Sequence, residues 1–152
     1  MHKIDDYIKI KMQEEGITEP ILAQKSGLST GHINKLKNGN VAKLSASTFY
    51  KLVTAFDRDF VYASDIVFPT LKNIELNKLP EVKRNKFGTL MLEFEKVINT
   101  PKNIAIITGI SEERIFELFN RNGGLEAYEL LLIEKAIKKK VGELFILYFK
   151  DE

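Results

Sequence analysis

The spacing of hydrophobic residues predicts a helical chain. In the N-terminal half, apolar residues recur every three or four positions, which places them on one face of an α-helix. Capping residues such as Ser, Thr and Asp precede these periodic segments, and Gly or Pro follows them. The predicted helices cover 4–15, two short segments within 18–40, a segment after Ser45, 59–67, 82–98 and a segment after Thr100.

The second and third predicted helices are joined by a tight turn. Ala23 is small enough for two steeply crossing helices to approach each other, and Gly27 tolerates the left-handed backbone of the turn. Ser29 can cap the second helix of the pair, and Asn38 with Gly39 can close it in a left-handed cap. The apolar residues expected to fill the space beneath the pair are Leu28, Ile33 and Leu36.

This pattern resembles the helix-turn-helix of phage repressors and Cro proteins, the XRE-type family, over roughly residues 7–56. The matching positions are Ala23, Gly27, Leu28, Ser29, Ile33, Asn38, Gly39 and the capped segment 45–49. The resemblance implies an all-α fold in which helix 30–37 reads the major groove of double-stranded DNA, usually as a dimer on inverted repeats. Two positions depart from the family pattern. Glu19 stands where the family usually has a glutamine that touches a phosphate, and Gly31 stands among the usual long polar readers.

A polar and basic face on helix 30–37 supplies the candidate DNA contacts. Asparagine and lysine can bond purine edges in the major groove, and those at or beyond the helix end suit phosphates. The candidate DNA-binding residues are Thr30, Gly31, His32, Asn34, Lys35, Lys37, Asn38, Asn40 and Lys43. The plain alternative is a solvated polar face on a small helical domain. His32 could also be a pH-sensitive contact or a base, but no acidic partner lies near it in the sequence.

The packing pattern occurs a second time, 82 positions later. The matches at this offset are Ala23 with Ala105, Gly27 with Gly109, Leu28 with Ile110, Ser29 with Ser111, Ile33 with Ile115, Leu36 with Leu118 and Asn38 with Asn120. With one residue fewer in the loop, they continue as Leu44 with Leu125, Phe49 with Leu130, Leu52 with Ile133 and Ala55 with Ala136. Packing positions recur while surface positions do not, which is typical of a duplicated fold. We therefore predict two tandem helix-turn-helix domains, at 1–68 and 81–152, joined by a linker at 69–80 that has a proline at each end.

Only the first of these two units has a cationic second helix. Residues 29–40 include two lysines and no acid, whereas residues 111–122 include three glutamates against two arginines. Carboxylates at the start of a helix favour the helix itself, but in a groove they would face phosphates. We therefore expect the first unit to bind DNA and the second to provide dimerisation or a protein contact. The formal charge of the whole chain, +2 at pH 7, is too small to argue for nucleic acid by itself.

Composition excludes several other classes of function. The chain has no cysteine and only two histidines, which argues against disulfides and against thiolate or histidine metal sites. It shows no signal peptide, no apolar run of membrane length and no catalytic motif. We therefore predict no cofactor, no metal, no membrane association and no enzymatic activity, with a cytoplasmic location.

Three segments of the second half allow more than one interpretation. The lysines at 135 and 138–140 are either a favourable charge cluster at a helix end or an additional phosphate patch. The apolar run 145–149 is a helix or a strand, and it either packs on the second unit or joins two subunits. Helix 82–98 would place on one face, as a core or alternatively as a dimer contact, Phe87, Leu90, Met91, Phe94 and Ile98.

The sequence thus predicts a sequence-specific DNA-binding transcriptional regulator, and more specifically a repressor that acts as a homodimer. Its partner would be double-stranded DNA, with a possible protein partner at the C-terminal domain. The alternative is a protein-interaction module, such as an antitoxin-like adaptor, that keeps the helical fold without strong DNA binding. Glu19 and Gly31 are the features that favour this alternative.

Overall fold

The computed structural model describes residues 2–80, 99–120 and 124–150, and in these ranges it is helical without β-strands, as predicted. The helices are α1 (Ile4–Glu15), α2 (Glu19–Ser26), α3 (Thr30–Lys37), α4 (Ala46–Ala55), α5 (Phe60–Val67), α6 (Pro101–Thr108), α7 (Glu112–Asn120), α8 (Ala127–Ala136) and α9 (Glu143–Phe149), with a 3₁₀ turn at Leu71–Asn73. None of these helices is both long and apolar enough to cross a membrane. The predicted helix 82–98 and its apolar stripe lie outside the described residues.

Several ends of the first five helices follow the signals found in the sequence, although Thr18 precedes α2 without a side-chain capping bond. α1 ends at Gly16, whose φ of +62° is left-handed. The side chain of Ser29 accepts a hydrogen bond from the His32 N–H at 3.1 Å, and Ser45 caps α4 in the same way at 3.1 Å. Asp59 proves to be the cap of α5 rather than its first residue. These elements form as predicted because each end depends on residues within one helical turn of it.

The described chain divides into two compact units. One contains the residues up to Ile74 together with those from Gly124 onward, and the other contains residues 75–123. The division after Ile74 falls inside the predicted linker at 69–80. The predicted domain 81–152, in contrast, is divided between the two units, because its last two helices pack with the N-terminal helices.

The apolar run 145–149 lies in helix α9, which packs on α4. The Phe145 ring lies 5.4 Å from that of Phe49, and the Phe149 ring stacks on that of Tyr50 at 4.9 Å. Phe145 and Phe149 are therefore buried within the first unit. Neither interpretation offered for this run in the sequence included packing on the first helix-turn-helix domain.

A buried carboxylate holds the start of α9. The side chain of Glu134, on α8, accepts hydrogen bonds from the Gly142 N–H at 3.1 Å and from the Leu144 N–H at 2.7 Å. Both amides are at the N-terminus of α9, where backbone N–H groups lack partners within the helix. Burial raises the pKa of Glu134 above its usual range, against the lowering effect of these two bonds. The first unit thus fixes α9 through one polar contact as well as through aromatic packing.

The lysines near the end of α8 lie in two different environments, one bound to backbone carbonyls and the others exposed to solvent. Lys135 donates hydrogen bonds from its Nζ to the carbonyls of Leu71, at 3.2 Å, and Ile74, at 2.6 Å. It therefore fixes the 3₁₀ turn with two of its three N–H donors. The lysines at 138–140 are exposed, and Lys139 lies 3.7 Å from Glu143 in a surface ion pair.

A pH-dependent ion pair joins α1 to the segment after α4. The buried Lys11 Nζ lies 2.6 Å from Asp57, whose side chain is 40% exposed. The hydrogen bond to Asp57 raises the pKa of Lys11. For Asp57, burial alone would raise the pKa, but the Lys11 ammonium outweighs it and the pKa lies below the usual 3.8.

We expect replacement Asp57→Asn to lower the free energy of unfolding at neutral pH by about 1–2 kcal/mol. This is less than the cost of breaking a fully buried pair, because Asp57 remains partly solvated. A carboxylate with a lowered folded-state pKa stabilises the fold above its unfolded pKa, and that contribution disappears as pH falls through the folded value. In urea unfolding at decreasing pH, the difference between the wild type and Asp57→Asn should therefore begin to shrink at about pH 3.8 and should vanish only below the folded-state pKa of Asp57. A difference that stays constant with pH would show that the charge of Asp57 is not what stabilises the fold.

Candidate nucleic-acid interface

The turn between α2 and α3 fixes which side of α3 faces outward. Gly27, with φ of +77°, donates its N–H to the carbonyl of Ala23 at 2.9 Å. The Leu28 N–H donates to the side-chain oxygen of Ser26 at 3.2 Å. Ile33 and Leu36 are completely buried on the inner side of α3. The opposite side of α3 is therefore held toward solvent by a packed core.

Most of the predicted DNA-binding residues lie on that outward side. Exposed residues are Thr30, Gly31, Asn34, Lys35, Asn38, Asn40 and Lys43. The Asn38 side chain donates to the side-chain oxygen of Asn34 at 3.1 Å. This bond orients Asn34, and in the structure its own Nδ2 has no partner among the residues described. His32 is half-buried, and its backbone N–H is used by the Ser29 cap.

Lys35 is the cation at the centre of this face. It is exposed, and no carboxylate in the described part of the chain forms an ion pair with it. The backbone beneath it is fixed, since the Asn40 N–H donates to the Lys35 carbonyl at 2.9 Å. Lys43 is also exposed, and its Nζ lies at a loose 3.6 Å from Glu126. Residues 29–40 themselves contribute Lys35 and several amides to this outward surface, and no acid.

Lys37 differs from the expectation, because it is paired within the protein. Its Nζ lies 3.1 Å from Oε1 of Glu19, and both side chains are about one third exposed or less, at 33% and 27%. Glu19 is at the start of α2, so this pair joins the two helices of the turn. The sequence indicated that Glu19 is unusual, but a separation of 18 positions in the chain gave no signal that it would meet Lys37.

The second helix pair, α6 and α7, has the same local turn. Gly109 has the φ of Gly27, +77°, and donates to the Ala105 carbonyl at 3.0 Å. The Ile110 N–H donates to the Thr108 hydroxyl at 3.2 Å. Ser111 accepts from the Arg114 N–H at 3.1 Å, as Ser29 does in the first pair.

The outward surface of α7 is unlike that of α3. Its first turn contains Glu112 and Glu113. Glu117 forms an ion pair with Arg114 at 3.2 Å. Phe116 and Phe119 are more than half exposed, at 55% and 52%. A helix of this character is poorly suited to enter a groove lined by phosphates.

Two helices joined through a left-handed glycine, with a polar second helix facing solvent, define a helix-turn-helix domain. Residues 8–60 match the family model of the Cro/C1-type helix-turn-helix DNA-binding domain. The chain therefore contains a Cro/C1-type domain, which confirms the resemblance inferred from residues 7–56 and marks the protein as a DNA-binding regulator in the general sense. Comparison with curated proteins and with solved structures gave no match.

Proposed function

We propose that this protein is a sequence-specific transcriptional repressor of the cytoplasm that reads the major groove of double-stranded DNA with α3. The observation that carries the proposal is the outward face of α3, where Asn34 and Lys35 are exposed next to each other on a helix with a buried inner side. A helix bound in the major groove at a promoter would exclude other proteins from the same groove, and the repressor role in this proposal rests on that exclusion.

The residues of this face divide into two roles. Asn34 and Lys35 can bond purine edges, the asparagine to adenine and the lysine to guanine, while Thr30 offers a hydroxyl or methyl contact. Asn38, Asn40 and Lys43 are at or beyond the end of α3. They suit phosphate contacts, which position the protein without reading the sequence.

Selection of bound sites from a pool of random duplexes tests this proposal. We expect a defined consensus to be enriched, and binding to that consensus to weaken steeply as salt is raised, because phosphate contacts release counterions. A scrambled duplex of the same composition is the matched control. Enrichment of no sequence at low salt would overturn the proposal.

The second candidate function is a protein-interaction module. The observation in its favour is that acids offset the cations that DNA would need: Glu19 pairs with Lys37, and α7 begins with two glutamates. A module of this kind would bind no duplex at any salt concentration. The site selection therefore separates the two candidates.

Replacing Glu19 by glutamine should strengthen DNA binding. The change removes a carboxylate near the outward face and frees Lys37, which now lies 3.1 Å from it. One additional phosphate contact would raise affinity by up to about tenfold and would steepen the salt dependence by about 0.9 in log–log slope. Titration of the selected duplex at several salt concentrations measures both quantities.

Glu15→Gln is the matched control for this experiment, because Glu15 is exposed at the end of α1 and loses the same charge. It should change the affinity far less than Glu19→Gln does. If Glu19→Gln leaves affinity and slope as they are in the wild type, Lys37 does not reach DNA and its assignment to the interface is wrong.

The homodimer expected from the sequence rests on the family resemblance, with residues 81–152 as the proposed dimerisation or partner-binding part. The apolar run that favoured this assignment is α9, and α9 packs on α4 within the first unit. Deleting everything after residue 81 would therefore uncover Phe49 and Tyr50 as well as remove the second unit. A loss of dimers in such a deletion would not identify the dimer contact.

A further inference from the structure

A short antiparallel contact joins the start of α4 to the start of α8. Ser45 and Glu126 are directly opposite each other in an isolated β-bridge. The Ala46 N–H donates to the Leu125 carbonyl at 2.7 Å, and the Ala127 N–H donates to the Leu44 carbonyl at 3.0 Å. We call the two segments 44–46 and 125–127 the joint. All of the joint lies within the first unit.

The two hydrogen bonds of the joint are copies of each other under the sequence repeat. At the offset that aligns Leu44 with Leu125, Ala46 aligns with Ala127. The bond from Ala46 to Leu125 in one direction therefore corresponds to the bond from Ala127 to Leu44 in the other. Any antiparallel bridge has reciprocal hydrogen bonds. Here the opposed residues, Ser45 and Glu126, also occupy equivalent positions of the repeat, as contacting residues do across a two-fold, isologous interface.

The helices that follow the joint continue this equivalence. α4 and α8 have the same length, 10 residues. Their C-terminal bonds also correspond: the N–H groups of Phe56 and Ile137 donate to Leu52 and Ile133 at 3.1 and 3.0 Å. At the same offset, the pairs of positions that are buried in both helices are 46 and 127, 49 and 130, 50 and 131, 52 and 133, and 53 and 134.

We propose that the joint is a subunit interface that this chain has taken inside itself. The second copy of α4, which is α8, occupies the place that α4 of a second subunit would take in a two-fold dimer. The chain is then a monomeric pseudo-dimer, and its partner at this surface is its own second repeat. The homodimer implied by the family resemblance is the alternative, and the measurements below distinguish the two. If the proposed function holds, a further consequence is that one chain, with one cationic reading helix, occupies a single half-site.

An engineered disulfide tests whether the joint forms within one chain. Residues opposite each other in a non-hydrogen-bonded antiparallel pair have Cα atoms about 4.5 Å apart, which a disulfide can span. The chain has no cysteine of its own, so the double variant Ser45→Cys/Glu126→Cys contains only the two thiols under test. After mild oxidation of the full chain, we expect no free thiol and the mass of one chain on a non-reducing gel.

The single variants Ser45→Cys and Glu126→Cys are the matched controls, since each loses one of the same caps but cannot close the bond. A covalent dimer of the double variant would show that the joint forms between chains, and thiols that remain free in a folded protein would show that the two segments are not opposed. Either result overturns the proposal. Neither result depends on DNA, so the proposed function is tested separately.

Light scattering on the unmodified protein gives a second measurement that does not require a variant to fold. We expect the mass of one chain, 17.4 kDa, independent of protein concentration. A concentration-independent dimer would contradict the proposal that the chain is a monomer.

Discussion

Reversal of the charge at Lys35, by the replacement Lys35→Glu, is expected to abolish the specific complex with DNA. Lys35 is exposed at the centre of the outward face of α3, and no described acid pairs with it. Loss of a contact to a base or phosphate costs about 1–3 kcal/mol, and a carboxylate at the same place adds repulsion. We therefore expect at least about a 100-fold loss of affinity for the selected duplex, measured by titration at constant salt.

Lys9→Glu is the control for this reversal. Lys9 is exposed on α1, near Asp65 in α5 and Pro69 just after α5. Its replacement by glutamate changes the net charge by the same amount. If affinity falls equally in both variants, DNA is held by general charge rather than by α3. If Lys35→Glu binds as the wild type does, α3 is not the reading helix.

The parts of this fold that the sequence predicts best are those determined by neighbouring residues. The end of α1 and the start of α3 were correct because each depends on hydrogen bonds within one turn: the Gly16 N–H donates to carbonyls of α1, and the Ser29 side chain accepts from the His32 N–H. The turn at Gly109 was likewise correct, since a glycine after a helix, followed by a capping serine, is a local signal. The outward position of Asn34 and Lys35 followed from the spacing of Ile33 and Leu36, which must both face the core.

The parts that the sequence did not predict depend on contacts between distant residues. The helical spacing of Phe49 and the apolar run around Phe145 indicated that both would be covered, but not that they would be buried against each other. The same holds for Glu19 and Lys37, whose pairing alters the charge of the candidate interface. Spacing along a helix gives the direction in which a side chain points relative to its own helix, and not which helix it will meet.

The close packing around the start of α9 makes Gly142→Ala the single substitution that we expect to destabilise the fold most. Gly142, immediately before α9, has φ of +93°, and a Cβ built on it would lie 2.6 Å from Cγ and 2.7 Å from Cβ of Phe60. Phe60 is buried in contact with Phe49 and Phe145, so it cannot move away without disturbing both. We expect Gly142→Ala to lower the free energy of unfolding by about 3 kcal/mol or more, from backbone strain and overpacking together.

Gly16→Ala separates these two causes. Gly16 is also left-handed, with φ of +62°, but a Cβ there meets nothing within 4 Å. It should therefore lose only the backbone term, about 1 kcal/mol. The two variants are compared by urea unfolding followed by circular dichroism. Equal losses of unfolding free energy would mean that Phe60 is not packed tightly against Gly142. A much larger loss in Gly142→Ala would show that α9 belongs to the same hydrophobic core as the first helix-turn-helix.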